Sequence, residues 1–185
     1  MAKLDKSGLL KKINSLNSLH NSSVKFGIFG NKAKEKHNNS NLSVGQIARI
    51  HEEGRSFKLK SNVAITNTSG EIRWLFRGTK ITIPSRAFFF SGTMNIKGSL
   101  LDVMRTQFKL LWVGSNNADN FLKQIGKFCK SEVQDAIKTF NGVPLNEYIT
   151  VFKKGHNIPL IETEQLYNAI DFEVKKDMRM KANKK

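Results

Sequence analysis

Between residues 118 and 140, Phe121, Ile125, Phe128, Cys129, Val133, Ala136, Ile137 and Phe140 recur every three or four positions. A helix collects residues at that spacing into one stripe, so the segment is expected to be a long amphipathic helix with its charged side chains on the other side. A second stretch, from Met94 to Trp112, repeats the pattern through Leu100, Met104, Phe108 and Leu111. The "VGSNN" that follows is turn chemistry and separates the two helices. Apolar stripes of this length need covering by other parts of the chain, which requires a layered fold.

The covering layer reads as β structure. In "SVKFGIF", residues 23 to 29, Val24, Phe26 and Ile28 alternate with Ser23, Lys25 and Gly27, the period of a strand with one buried face. The polar stretch "GNKAKEKHNNSN" reads as an exposed loop. A short helix follows, opened by a capping box of Ser43 and Gln46 and stopped at Gly54. Residues 63 to 78, "VAITNTSGEIRWLFRG", read as a β-hairpin turning at Thr-Ser-Gly, with Ile72, Trp74 and Phe76 alternating with Arg73, Leu75 and Arg77. Pro84 interrupts "ITIPSRAFFF", which makes that run an extended connection or edge segment. Near the C-terminus, "ETEQLYNAIDFEV" reads as a short helix, starting at Glu162 or Thr163, that runs into a last strand.

The expected fold class is therefore α+β: an antiparallel sheet with a β-hairpin arm, backed by two longer helices and two short ones. The expected organisation is an N-terminal basic arm over residues 1–22 and one domain over 23–175, with residues 62–80 as a hairpin insertion. Residues 176–185 are expected to form a basic C-terminal tail.

Charge narrows the partners. The chain of 185 residues carries 31 Lys and Arg against 15 Asp and Glu, a formal net charge of +16. Such an excess attracts polyanions or an acidic protein surface. Residues 1–12 and 175–185 have net charges of +3 and +5, so half the excess lies near the ends. The single cysteine, Cys129, excludes an intramolecular disulfide framework. No apolar run approaches the roughly 20 residues of a membrane span, so no membrane partner is expected.

Catalytic chemistry finds little support. "IARIHEEGRS" places His51 beside Glu52 and Glu53, which resembles half of a zinc-protease motif, but Arg55 occupies the position of the required second histidine. The chain lacks a Gly-x-Ser-x-Gly nucleophile elbow and a phosphate-binding Gly-Lys-Ser/Thr. No catalytic, metal or cofactor site is expected, and the chain reads as a non-enzyme.

Six segments, in order, carry a resemblance: "FGIFG", "IARIHEEGR", "IPSRAFFF", the helical pair, "NGVPLNEYITVFKKG" and "IPLIETEQLYNAI". Together they resemble the tail-completion and head-tail joining (neck) proteins of tailed bacteriophages, a family overlapping the phage virion morphogenesis proteins. The resemblance covers roughly residues 23 to 175. It departs in the long stretch 55–80, in Ala87 where a second Pro is common, and in Glu164 where a Gly is common.

The resemblance implies a structural virion subunit forming a ring, hexameric in expectation, that joins the capsid connector to the tail and leaves a passage for DNA. Its partners would be other copies of itself, a connector or head-completion protein, and a tail tube or tail terminator protein, with non-specific contact to passing DNA. Its location would be the virion neck, after synthesis in the host cytoplasm. The matching positions His51, Glu52, Pro84, Arg86, Phe88, Pro159, Leu160, Thr163 and Leu166 are then assembly candidates. Arg73, Trp74 and Arg77 of the hairpin join them, as cations and an aromatic suited to an interface. The glutamates of the His-Glu turn are expected to meet an arginine. The alternative is a basic nucleic-acid-binding module without catalytic activity.

Overall fold

The structure, a computed structural model, describes residues 6–38, 40–140, 148–155 and 164–176. The elements in chain order are α1 (Lys6–His20), β1 (Ser22–Gly27), α2 (Gly30–Lys34), α3 (Val44–Glu53), β2 (Arg55–Lys58), β3 (Val63–Thr66) and β4 (Ile72–Leu75). They continue with β5 (Lys80–Ile83), α4 (Phe88–Trp112), α5 (Ala118–Lys138), α6 (Tyr148–Lys154), α7 (Gln165–Ala169) and β6 (Asp171–Lys176). The fold is α+β, with antiparallel pairing and two long helices, α4 and α5. Among the described residues the strands form three two-stranded ladders instead of one sheet, and the shorter helices number more than the two expected.

The chain divides into two compact units. The first combines Met1–Gly27, Thr93–Glu132 and Asp171–Lys185, and the second combines Ile28–Gly92 and Val133–Ile170. The helices α4 and α5 each contribute to both.

In the first unit β1 and β6 pair antiparallel, with Val24 opposite Val174 and Phe26 opposite Phe172. The alternation read at residues 23 to 29 is thus a strand, ending at Gly27, and its partner comes from the far end of the sequence. Ile96, Leu111, Ala118, Phe121, Leu122, Ile125 and Cys129 are buried, as the helical spacing requires. Gly126 is the point of closest approach. A Cβ added there would lie 2.1 Å from Cδ2 of Phe172, so only glycine lets that ring rest on α5. Lys176 pairs with Asp119 and holds its carboxyl below the ordinary value, chiefly by a side-chain hydrogen bond. Burial pushes the Cys129 thiol up, which suits a small apolar core group. Residues 6–20 of the expected N-terminal arm form a helix, and β6 runs to Lys176; residues 177–185 of the expected tail lie outside the described residues.

The core of the second unit gathers Val44, Phe88, Val133, Ala136, Ile137, Leu166, Ala169 and Ile170. The capping box opens α3 as read: Ser43 Oγ accepts the Gln46 N–H at 3.3 Å, and Gln46 Oε1 accepts the Ser43 N–H at 2.9 Å. The polar stretch after β1 is not all loop, because Gly30–Lys34 form α2. The start of α7 differs too. Its first residue is Gln165, preceded by Glu164 at φ +53 without a side-chain cap. Gln165 ties α7 down by accepting the Asn38 N–H and donating to the Lys36 carbonyl, both at 3.0 Å.

Candidate assembly site

Two motifs separated by some thirty residues of sequence meet where α3 ends and α4 begins. Gly54 stops α3 with φ +76. A Cβ at this position would stand 2.8 Å from Ser85 N and 3.1 Å from Ile83 O, so glycine is required by conformation and by space. The chain returns along β5, breaks from the ladder at Pro84, and fastens to the last turn of α3. Ser85 Oγ donates to the Glu52 carbonyl at 2.6 Å, and the Arg86 N–H donates to the His51 carbonyl at 2.6 Å.

The Glu52 side chain completes the junction. Its Oε2 accepts the Phe89 N–H and its Oε1 the Phe90 N–H, each at 2.9 Å. These are among the first amides of α4, which lack intrahelical partners, and a carboxylate there also meets the positive end of the helix dipole. This places the start of α4 at Phe88, six residues before the expected Met94. The "FFF" of the proline-interrupted run is therefore helix, and only Lys80–Ile83 is strand.

The junction corrects several expectations. Glu52, expected to meet an arginine, instead holds helix amides; Glu53, read with the same expectation, does meet one, pairing with Arg49 of its own helix at 3.0 Å. Arg86 is 3% exposed, Phe88 is buried beside it in sequence, and Leu166 is buried in α7. These three act inside their own unit and do not reach outward as anchors. Their apolar or partly apolar bulk is buried within the second unit. His51 and Pro84 lie half-buried at the junction. Pro159, Leu160 and Thr163 lie outside the described residues.

The outward-facing candidates are on the arm. The strands β3 and β4 pair with Ala64 opposite Trp74 and Ile65 opposite Arg73, and β2 pairs with β5 beyond them. Between the ladders, Leu59 donates to the Thr79 carbonyl and accepts the Gly78 N–H. The arm thus runs from Arg55 to Ile83, longer than the expected 62–80. Its tip is closed by Asn67, whose Oδ1 accepts the N–H groups of Ser69 and Glu71.

The two faces of β4 differ sharply. Arg73 stacks over the Phe152 ring of α6 at 4.2 Å, and Leu75 on the same face is half-buried. The opposite face presents Ile72, Trp74 and Phe76, which are 61%, 62% and 67% exposed. Arg77, at the end of this face's strand, is exposed, and its N–H is accepted by Asn62 Oδ1 at 2.8 Å. Three adjacent large apolar side chains at this exposure form a patch of the kind that marks an interaction surface.

Among the described residues no group of three or more His, Cys, Asp or Glu is placed to hold a metal ion. Among them, too, no helix is long and apolar enough to cross a membrane. Two further apolar surfaces are exposed. One is on α1, where the sequence already places Leu9, Ile13 and Leu16 on one helical face, suited to an arm or a partner-binding helix, and where Leu10 is exposed as well. The other lies along α4, where Met104 and Phe108, expected from their spacing to belong to the covered stripe, are 38% and 42% exposed, while Leu111 of the same stripe is buried. In comparisons with known proteins, no family model, no curated protein and no solved structure matches the chain.

Proposed function

We propose that this chain is a non-catalytic structural subunit of a tailed bacteriophage, a neck or tail-completion protein that assembles as a ring between capsid connector and tail. The observation that carries the assembly reading is the Ile72, Trp74 and Phe76 face, held outward on an arm whose other face is fixed by Arg73. An arm with aromatic anchors is suited to a neighbouring subunit or to a connector protein. The residues that most resemble a catalytic motif support the same reading, because Glu52 has both carboxylate oxygens engaged by helix amides.

The phage assignment rests on the six ordered motifs, and two structural relationships support it. The His-Glu turn and the Ile-Pro-Ser-Arg segment are partners in one junction. Glu164, which stands where the resembled family commonly has Gly, adopts the left-handed φ that glycine takes most easily.

A second reading, a nucleic-acid-binding module, draws on an open cleft of about 420 Å³ lined by His20, Ser22, Ser23, Lys175 and Lys176. Electron micrographs of the purified chain, with and without duplex DNA, separate the two. Rings with a central opening in the absence of DNA support the neck protein. Separate particles that coat DNA, with affinity falling steeply as salt rises, would overturn it in favour of the second reading.

A further inference from the structure

We propose that the exposed face of α4 formed by Met94, Leu101, Met104, Phe108 and Trp112 is a self-association seam that takes a helix from a second copy of this chain. The inference rests on the self-assembly part of the proposed function and names its contact.

Three observations carry it. Met94, Leu101 and Phe108 stand seven residues apart, with Met104 between the last two, and Trp112 extends the line by one more turn. The steps from Leu101 through Met104 to Phe108 are the 3-4 spacing of a helix-to-helix seam, Lys97 takes the corresponding place after Met94, and the line runs beside the separate row through Ile96 and Leu111 that the unit buries. Leu101, at the middle, is 62% exposed.

The second observation is Gly98. Glycine in a helix interior costs stability, about 1 kcal/mol relative to alanine. Among the described residues nothing gives a reason for it, since a Cβ built there meets nothing within 4 Å and no positive φ is needed. A gap beside Met94 and Leu101 instead lets a neighbouring helix approach closely.

The third is charge, which selects the occupant. The chain is strongly basic, yet α4 carries only Lys97, Arg105 and Lys109 against Asp102, Arg105 is already paired with Asp102 at 3.1 Å, and Lys12 of α1 is engaged over the Trp112 ring at 4.7 Å. A polyanion or an anionic bilayer would find richer surfaces elsewhere on the chain, whereas a second basic copy meets little repulsion here. Five large side chains of this exposure offer on the order of 500 Å² per copy, near the lower end of specific interfaces. The seam is therefore expected to be concentration-dependent and to act together with other contacts.

Sedimentation velocity across a hundredfold range of concentration tests the proposal, using wild type, Leu101→Glu, Phe108→Glu and Gly98→Ala, with circular dichroism as the check on folding. The Glu variants are expected to fold and to weaken association at least tenfold. Gly98→Ala is expected to raise the thermal midpoint of the dissociated chain while weakening its association, and it decides the matter should a Glu variant fail to fold. Variants that associate as wild type does would overturn the seam and leave the assembly reading standing. A wild-type chain that stays monomeric would overturn both, as would one that remains monomeric and co-sediments with phosphatidylserine vesicles.

Discussion

Glu52 Oε2 accepts the Phe89 N–H at 2.9 Å across 37 residues of sequence, and this bond sets where α4, the longest helix among the described residues, begins. Removing the carboxylate leaves the Phe89 and Phe90 amides without it at a half-buried site. Glu52→Ala is expected to cost about 2–3 kcal/mol, from the loss of charge-assisted hydrogen bonds and the dipole interaction. Glu52→Gln, which keeps one acceptor oxygen, is expected to cost about half as much. Urea unfolding followed by far-ultraviolet circular dichroism measures both.

Gly54 is expected to tolerate no side chain. At φ +76 and ψ 163, a region occupied essentially by glycine, alanine incurs about 1–3 kcal/mol of backbone strain, and its Cβ would collide with the backbone of Ser85 and Ile83. Backbone cannot step aside as a flexible side chain can, so Gly54→Ala should lower stability by about 3 kcal/mol in total. A shift in the urea midpoint without a change in slope is the expected signature.

The sequence made the long helices, the capping box of Ser43 and Gln46, and the hairpin legible because each depends on residues within one or two turns of one another. What it concealed depends on contacts distant in sequence. The three phenylalanines after Arg86 look like a continuation of the preceding apolar run, and only Glu52 makes them a helix start. Arg86, a cation amid apolar residues, reads either as held within its own chain or as placed for a neighbour, and the return of the chain onto α3 buries it. The pairing of β1 with β6 joins the two ends of the chain, and nothing local announces it. In β4 the alternation of Trp74 with Arg73 was visible, but which face meets the rest of its unit was set by Phe152, over whose ring Arg73 lies.

Gly126 gives a test of the first unit. A methyl group there overlaps the Phe172 ring, which must tilt away from α5 or lift β6 with it. Gly126→Ala is expected to destabilise by about 1–3 kcal/mol through overpacking, despite the better helix propensity of alanine. Amide hydrogen exchange should accelerate in β1 and β6 before it does in α3.

The Asp119–Lys176 pair introduces a weak pH dependence. Because Lys176 holds the Asp119 carboxyl below its ordinary value of 3.8, its contribution is fully present above that value and is lost as pH falls through the lower, folded value. Both partners are half exposed, so the contribution should be below about 1 kcal/mol and smaller in high salt. Comparing wild type with Asp119→Asn, the stability difference should be present at pH 6 and vanish toward pH 2.

The central claim, that this chain is an assembly subunit, is tested most directly by light scattering on a size-exclusion column, comparing wild type with the Trp74→Ser/Phe76→Ser double variant. Since both side chains are exposed, the variant should fold with near-normal stability. The expected result is a wild-type mass several times that of the 20.9 kDa chain, and a lower mass for the variant at the same concentration. A wild-type mass of one chain at every concentration would contradict the account.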